Sequence, residues 1–317
     1  MKLQTQLPLV KNSPAIGYDS KLFLIGSCFA ENIADKFSYY KFQNYNNPLG
    51  VLFHPLAILD LLTKAQNNYV YADKDLFFSN GQWQSFAAHS HLNSPSKIQL
   101  LERLNSAVQT TRKQLCDASH IVLTFGTAWI YKHIQSQVVV SNCHKQPQKE
   151  FEKFILSIDQ LTAAIESIIS IIKSMNKEVT IIFSISPVRH LKDGFVENTH
   201  SKSQLIASLH PIVVKSEKTH YFPSYELLMD ELRDYRFYKD DMLHPSQLAI
   251  DYVWDKFKAT WIEAAADPIM KAVNHLQKGM EHKPFNADSK AHKVFLDTLR
   301  VEAETLMSRF PFMKFEL

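Results

Sequence analysis

The chain has 317 residues, 45% of them hydrophobic, which is enough for one large core or two modest ones, and its 35 basic and 32 acidic residues leave a formal net charge of +3. The charges are interspersed, so no basic stripe argues for a nucleic-acid partner, and no window approaches the ~20 apolar residues of a membrane span. The opening "MKLQTQLPLVKNSPAIGYDS" has no apolar run leading to a small-residue cleavage site, so a cytoplasmic protein is expected, and Cys28, Cys116 and Cys143, without a C-x-x-C pair, read as reduced thiols.

In chain order, short apolar runs bounded by turn residues fall at 22–26 (LFLIG), 120–126 (HIVLTFG), 179–186 (VTIIFSIS) and 219–224 (THYFPS). These read as buried parallel strands. Between them, helical spacing predicts helices at 28–40, 55–66, 97–116 and 150–175; in the last, Phe151, Phe154, Ile155, Ile158, Leu161, Ile165, Ile168 and Ile172 form the apolar stripe. Strands alternating with helices imply an α/β protein with a doubly wound parallel sheet, whose ligands sit outside the carboxyl ends of the strands. The aromatic-rich 68–96 reads as a small hairpin insertion over that site. Leu227, Leu228, Met229 and Leu232 predict an amphipathic helix with its charges outward, and a further helix begins near Ser246. A domain over 1–265 is followed by a helical appendage over 266–317, interrupted by "EHKPFNADSK". With only 7 glycines in the chain, about a third of ordinary usage, those at the predicted strand ends, Gly26 and Gly126, and Gly50 of "NNPLG" stand out.

Ser27 follows a predicted strand and opens a predicted helix. A hydroxyl there is either a helix N-cap or a nucleophile aimed into the strand-end crevice, beside helix amides that stabilise an oxyanion. Far along the chain, "YKDDMLHPSQ" holds Asp241 and His244 as D-x-x-H, a spacing that lets one turn present a carboxylate and the imidazole it orients. Cys28 is the alternative nucleophile, because thiols at helix N-termini acquire low pKa values. One step further into the helix, its side chain is expected to turn inward and pack as a small hydrophobe.

The order strand-Gly-Ser, loop glycine, strand-Gly-x-x and late D-x-x-H resembles the SGNH (GDSL-like) hydrolase superfamily, and the literal "GSCFAENI" resembles its GSCFA family. The likeness continues through "NNPLG", "LTFGTAW", "NCHKQP", "SPVRHLKDG" and "YFPSYELLMDELRDYRFYKDDMLHPS". It implies a three-layer αβα, flavodoxin-like fold with Ser27 as nucleophile, His244 as general base and Asp241 as its orienting carboxylate. The backbone amides of Ser27 and Gly50 would be oxyanion donors. No metal or cofactor is implied.

Two features depart from the superfamily pattern. Ile-Gly-Ser stands in place of Gly-Asp-Ser, and Gly126-Thr127-Ala128-Trp129 lacks the usual asparagine of the third block, so that either Asn142 replaces it as the side-chain donor or activity is reduced or altered. Gly126, Thr127, His144, Arg189 and His190 are candidate substrate-binding residues at the strand-end rim. Arg189 is suited either to a carboxylate or phosphate or to a structural ion pair. His89 and His91 alternate, which predicts one strand face; without an accompanying carboxylate or cysteine they read as rim histidines, His89 a further substrate contact, rather than as a metal pair. The expectation is a serine esterase acting on a small acyl ester, with acylated carbohydrate favoured by analogy; a non-catalytic binding module and an acyltransferase are the alternatives.

Overall fold

The computed structural model describes residues 4–286 and 288–315. The central sheet has five parallel strands, β1 (Lys21–Gly26), β2 (Gln43–Asn46), β5 (His120–Phe125), β9 (Thr180–Ile185) and β10 (Thr219–Tyr221), in the order β10-β9-β5-β1-β2. The chain winds outward one way through β1 and β2, then crosses back to β5. The gap between the carboxyl ends of β1 and β5 is thus the topological switch point, where open α/β sheets bind their ligands.

Period-two alternation sends neighbouring side chains to opposite layers. Phe23, Ile25, Leu123 and Phe183 pack under α2 (Pro55–Gln66), α3 (Lys97–Asp117), α4 (Ile158–Met175) and α5 (Phe195–Lys215). Leu22, Leu24, Val122 and Ile182 pack on the other face against α1 (Cys28–Tyr39), α7 (Gln247–Trp261) and α8 (Asp267–Glu281). This is a three-layer αβα arrangement with the sheet buried on both faces. Helix α8 pairs with α9 (Lys290–Arg309) through Leu276, Leu299 and Ala303, so the tail is helical as expected, and α8 joins the main core through Met270 and Val273.

The expected helix over 150–175 divides. Residues Phe151–Ile155 form β8, which pairs antiparallel with β6 (Trp129–His133), itself paired with β7 (Val139–Val140). The helix starts only at Ile158 because Ser157 and Gln160 form a reciprocal capping box there. Phe151, Phe154 and Ile155 fit a helical stripe by spacing alone, but they belong to this three-stranded sheet. The 68–96 segment contains a two-stranded hairpin, β3 (Phe77–Ser79) and β4 (Gln82–Gln84). His89 and His91 are not on a strand: His91 lies in the 3-10 turn Ser90–Leu92 and His89 caps it.

The predicted 227–232 helix is a single α turn, α6 (Ser224–Glu226), running into a π-helical turn Leu227–Leu232. Its charges are not all outward. Glu231 is buried, where its carboxylate meets Lys256, accepts from Tyr252 Oη and takes the Leu7 amide at 2.7 Å, tying down the N-terminal arm.

Candidate functional site

Strand β1 ends so close to β5 that residue 26 has no room for a side chain: a Cβ would meet the Thr124 carbonyl oxygen at 2.2 Å, and Gly26 has φ +147°. Ser27 then turns extended backbone into helix, its Oγ accepting from the Phe29 amide at 3.3 Å. The cap holds a hydroxyl that is 1% exposed at the positive end of α1.

The two amides expected as oxyanion donors are engaged inside the fold. Ser27 N donates to Thr124 O at 3.1 Å, because the β1–β5 ladder runs one residue beyond the strand, and Gly50 N donates to Asn47 O at 2.7 Å, because the N-N-P-L-G turn closes on itself. Gly50 (φ +77°) is also roofed by the histidines: a Cβ there would meet His91 Cε1 at 2.3 Å and His89 Cβ at 2.5 Å. His89 and His91 face each other Nδ1 to Nδ1 at 3.0 Å.

Asp241 and His244 form the dyad their spacing predicts. Asp241 Oδ2 lies 2.6 Å from His244 Nδ1, and Oδ1 accepts the Leu243 and His244 amides at 2.9 Å each. Met242, at φ +58°, takes the left-handed conformation that turns those amides back toward the carboxylate. The amides of His244 and Leu243, then the imidazole, hold Asp241 well below the usual carboxylate range. In the neutral imidazole, a carboxylate at Nδ1 selects the tautomer with its proton there, in which Nε2 is the acceptor. No hydrogen bond joins Ser27 and His244; Nε2 has no protein partner among the described residues.

Gly126 measures how close the remaining groups lie. A Cβ on it would meet His190 Nε2 at 3.2 Å and Ser27 Cβ at 3.5 Å, so His190 and Ser27 crowd one point at the switch crevice. Burial, then the Lys202 and His244 charges, pull His190 down to about 3, so its imidazole is neutral. Beneath them lies Lys202 of α5, 1% exposed, which sequence reasoning missed. Its ammonium donates to Gly126 O at 2.6 Å and Ser186 O at 2.7 Å, clamping the loops that leave β5 and β9.

Beside this point opens a cavity of about 400 Å³ between the strand ends and the β6–β8 sheet, lined by residues 53–54, 127–131, 140–151 and 190–193 in part. It brings Thr127, Asn142, His144 and His190 together, and adds Phe53, Trp129, Gln146 and Lys192, which the motifs alone did not single out. Asn142 Oδ1 accepts the His144 amide at 2.7 Å; its Nδ2 has no protein partner among the described residues. Thr127 Oγ1 is committed to Ser201 Oγ and the Trp129 amide, both at 3.0 Å. His89, Gly126 and Arg189 are not on the cavity wall. Arg189 has no acidic partner within 4 Å among the described residues and instead stacks on Tyr238 and Tyr235, 4.4 and 5.4 Å from their ring centroids.

Cys28 is half-buried, and burial followed by the Glu31 charge raises its pKa, so it is held as a thiol. No cluster of three or more metal-ligating side chains occurs among the described residues, and no helix there is long and apolar enough to cross a membrane.

Sheet order, capped hydroxyl and strand-end cavity define an open α/β protein with its crevice at the switch point. The chain belongs to the GSCFA family, whose model matches residues 21–257; a second model, the C-terminal domain of GSCFA domain proteins, matches residues 273–317. No curated protein matches. Among solved structures, the chain is similar to a carbohydrate esterase family 3 from Talaromyces cellulolyticus, with 6% identity and a TM-score of 0.35, over 81% of this chain and 99% of that one.

Proposed function

We propose that the chain is an SGNH-type hydrolase that cleaves an O-acyl ester through an acyl-enzyme on Ser27. The observation that carries the reading is the Asp241–His244 dyad, with Nδ1 held at 2.6 Å by the carboxylate and Nε2 without a protein partner. On this reading Nε2 takes the Ser27 proton as Oγ bonds to the acyl carbon. The alcohol leaves with that proton, and a water, activated by the same imidazole, releases the acid. With the Ser27 and Gly50 amides engaged, oxyanion stabilisation falls to the α1 N-terminus and to Asn142 Nδ2. Lys202 positions the Gly126 loop without touching substrate.

The test is hydrolysis of p-nitrophenyl acetate and butyrate by wild type, Ser27→Ala and Cys28→Ala. Loss in Ser27→Ala alone is the expected result. Loss in Cys28→Ala alone would move the nucleophile to the thiol.

The missing Ser27–His244 hydrogen bond and the engaged amides favour one rival, a ligand-binding module without turnover. Absence of activity in all three proteins, together with retained ligand binding, is its signature.

A further inference from the structure

Three buried polar atoms without a protein partner lie in one place: His144 Nδ1, Gln146 Nε2 and His190 Nε2 all belong to side chains that line the 400 Å³ cavity. Buried nitrogens are rarely left bare, and three on side chains of one lining mark a wall whose hydrogen-bonding capacity the chain itself does not use. Their chemistry is specific. His144 Nε2 donates to Ser85 O at 2.7 Å, so in the neutral ring, which burial favours, Nδ1 is an acceptor; Gln146 Nε2 is a donor. Groups that both donate and accept, as hydroxyls do, satisfy such a set.

The walls add two more requirements. Phe53, Trp129, Tyr131 and Phe151 make the wall aromatic, which suits the C–H face of a saturated ring, although Lys153 Nζ already lies 4.5 Å from the Trp129 ring centroid and 5.9 Å from that of Tyr131. The wall residues Lys145 and Lys192 are exposed and have no acidic partner within 4 Å among the described residues, while the one acidic side chain of the lining, Asp193, is bound by Lys153 at 2.5 Å. The cavity therefore carries two uncompensated positive charges.

We propose that this cavity binds a hydroxyl-bearing ring with an anionic substituent, of the class of a sugar phosphate or a uronic acid. Its assignment as the alcohol half of the ester rests on the hydrolase reading; the binding itself does not.

The experiment separates the two by using Ser27→Ala protein. Glucose 6-phosphate, glucuronate, glucose and inorganic phosphate are titrated by calorimetry and by intrinsic fluorescence, Trp129 being in the wall. At least one anionic sugar is expected to bind about tenfold or more tightly than glucose, as a charge-assisted contact provides. The double variant Lys145→Gln/Lys192→Gln should fall to the glucose level, and Trp129→Phe should remove the fluorescence change but not the heat. Tighter binding of glucose 6-phosphate assigns the anion as phosphoryl, and tighter binding of glucuronate as carboxylate. Equal binding of glucose and both anionic sugars, binding of inorganic phosphate as tight as the sugars, or no binding by any probe overturns the proposal. Failure of ester hydrolysis alone leaves it standing.

Discussion

Replacing Lys202 with Met tests how the strand ends beneath the crevice are held. Lys202 Nζ is fully buried, gives two protons to Gly126 O and Ser186 O, and lies 5.9 Å from the centre of the Tyr225 ring. Burial pulls its pKa from 10.5 down to about 7. The native state therefore releases this proton first. Between about pH 7 and 10.5 the unfolded chain binds more protons, so this residue makes stability rise with pH; below that window both states are charged and the cost of burying the ammonium is fully present. Each pH unit inside the window is worth up to ~1.4 kcal/mol, so from pH 7.5 to 9.5 the wild type should gain about 2 kcal/mol relative to Lys202→Met. Urea unfolding of both proteins at the two pH values measures this, since other titrating groups are common to both and cancel. The neutral amine still donates, and its loss leaves two buried carbonyls with one partner fewer, at roughly 1–3 kcal/mol each, so wild type should be the more stable at pH 9.5. A difference that stays flat with pH would mean that the amine is charged throughout, and the linkage argument would fail.

Gly26→Ala should lower stability by roughly 2–4 kcal/mol, because it combines a positive φ with a Cβ pressed into the Thr124 carbonyl; a urea midpoint within error of wild type would refute the close approach. If Ser27 and His244 act together, Asp241→Asn should reduce kcat on the order of 100-fold or more with little change in KM, since the imidazole loses its fixed tautomer; near-normal kcat would remove Asp241 from the mechanism. Glu231→Ala should free the N-terminal arm, which its carboxylate holds through the Leu7 amide, and speed proteolytic cleavage around residues 4–12. Unchanged cleavage kinetics would show that the arm is held by its other contacts.

Much of this molecule was legible in sequence where the physics is local. The strand-to-helix switch at Ser27 follows from an apolar run, a small polar cap and a helical stripe within a few residues, and 55–66 matches α2 because a proline at its first position starts it. Asp241 and His244 meet because a turn with two intervening residues brings them together, within four consecutive positions of the chain. The capping box at Ser157 and Gln160 was equally local, and reading it would have ended the α4 stripe at Ile158.

Other features depend on segments that meet only in the folded chain. The Ser27 amide is engaged because β5, about a hundred residues later, pairs beside it, and Gly50 is roofed by histidines some forty residues away. The cavity joins Phe53, Trp129, Asn142, His144 and His190 from four separate stretches. Lys202 looks like any helical lysine until α5 packs it under two carbonyls. Sequence by itself determined the alternating elements, the capped hydroxyl and the dyad, because each is set by neighbours along the chain. Only tertiary structure decided which donors remain free and what the crevice can hold, because hydrogen-bond saturation and burial are properties of contacts between distant segments.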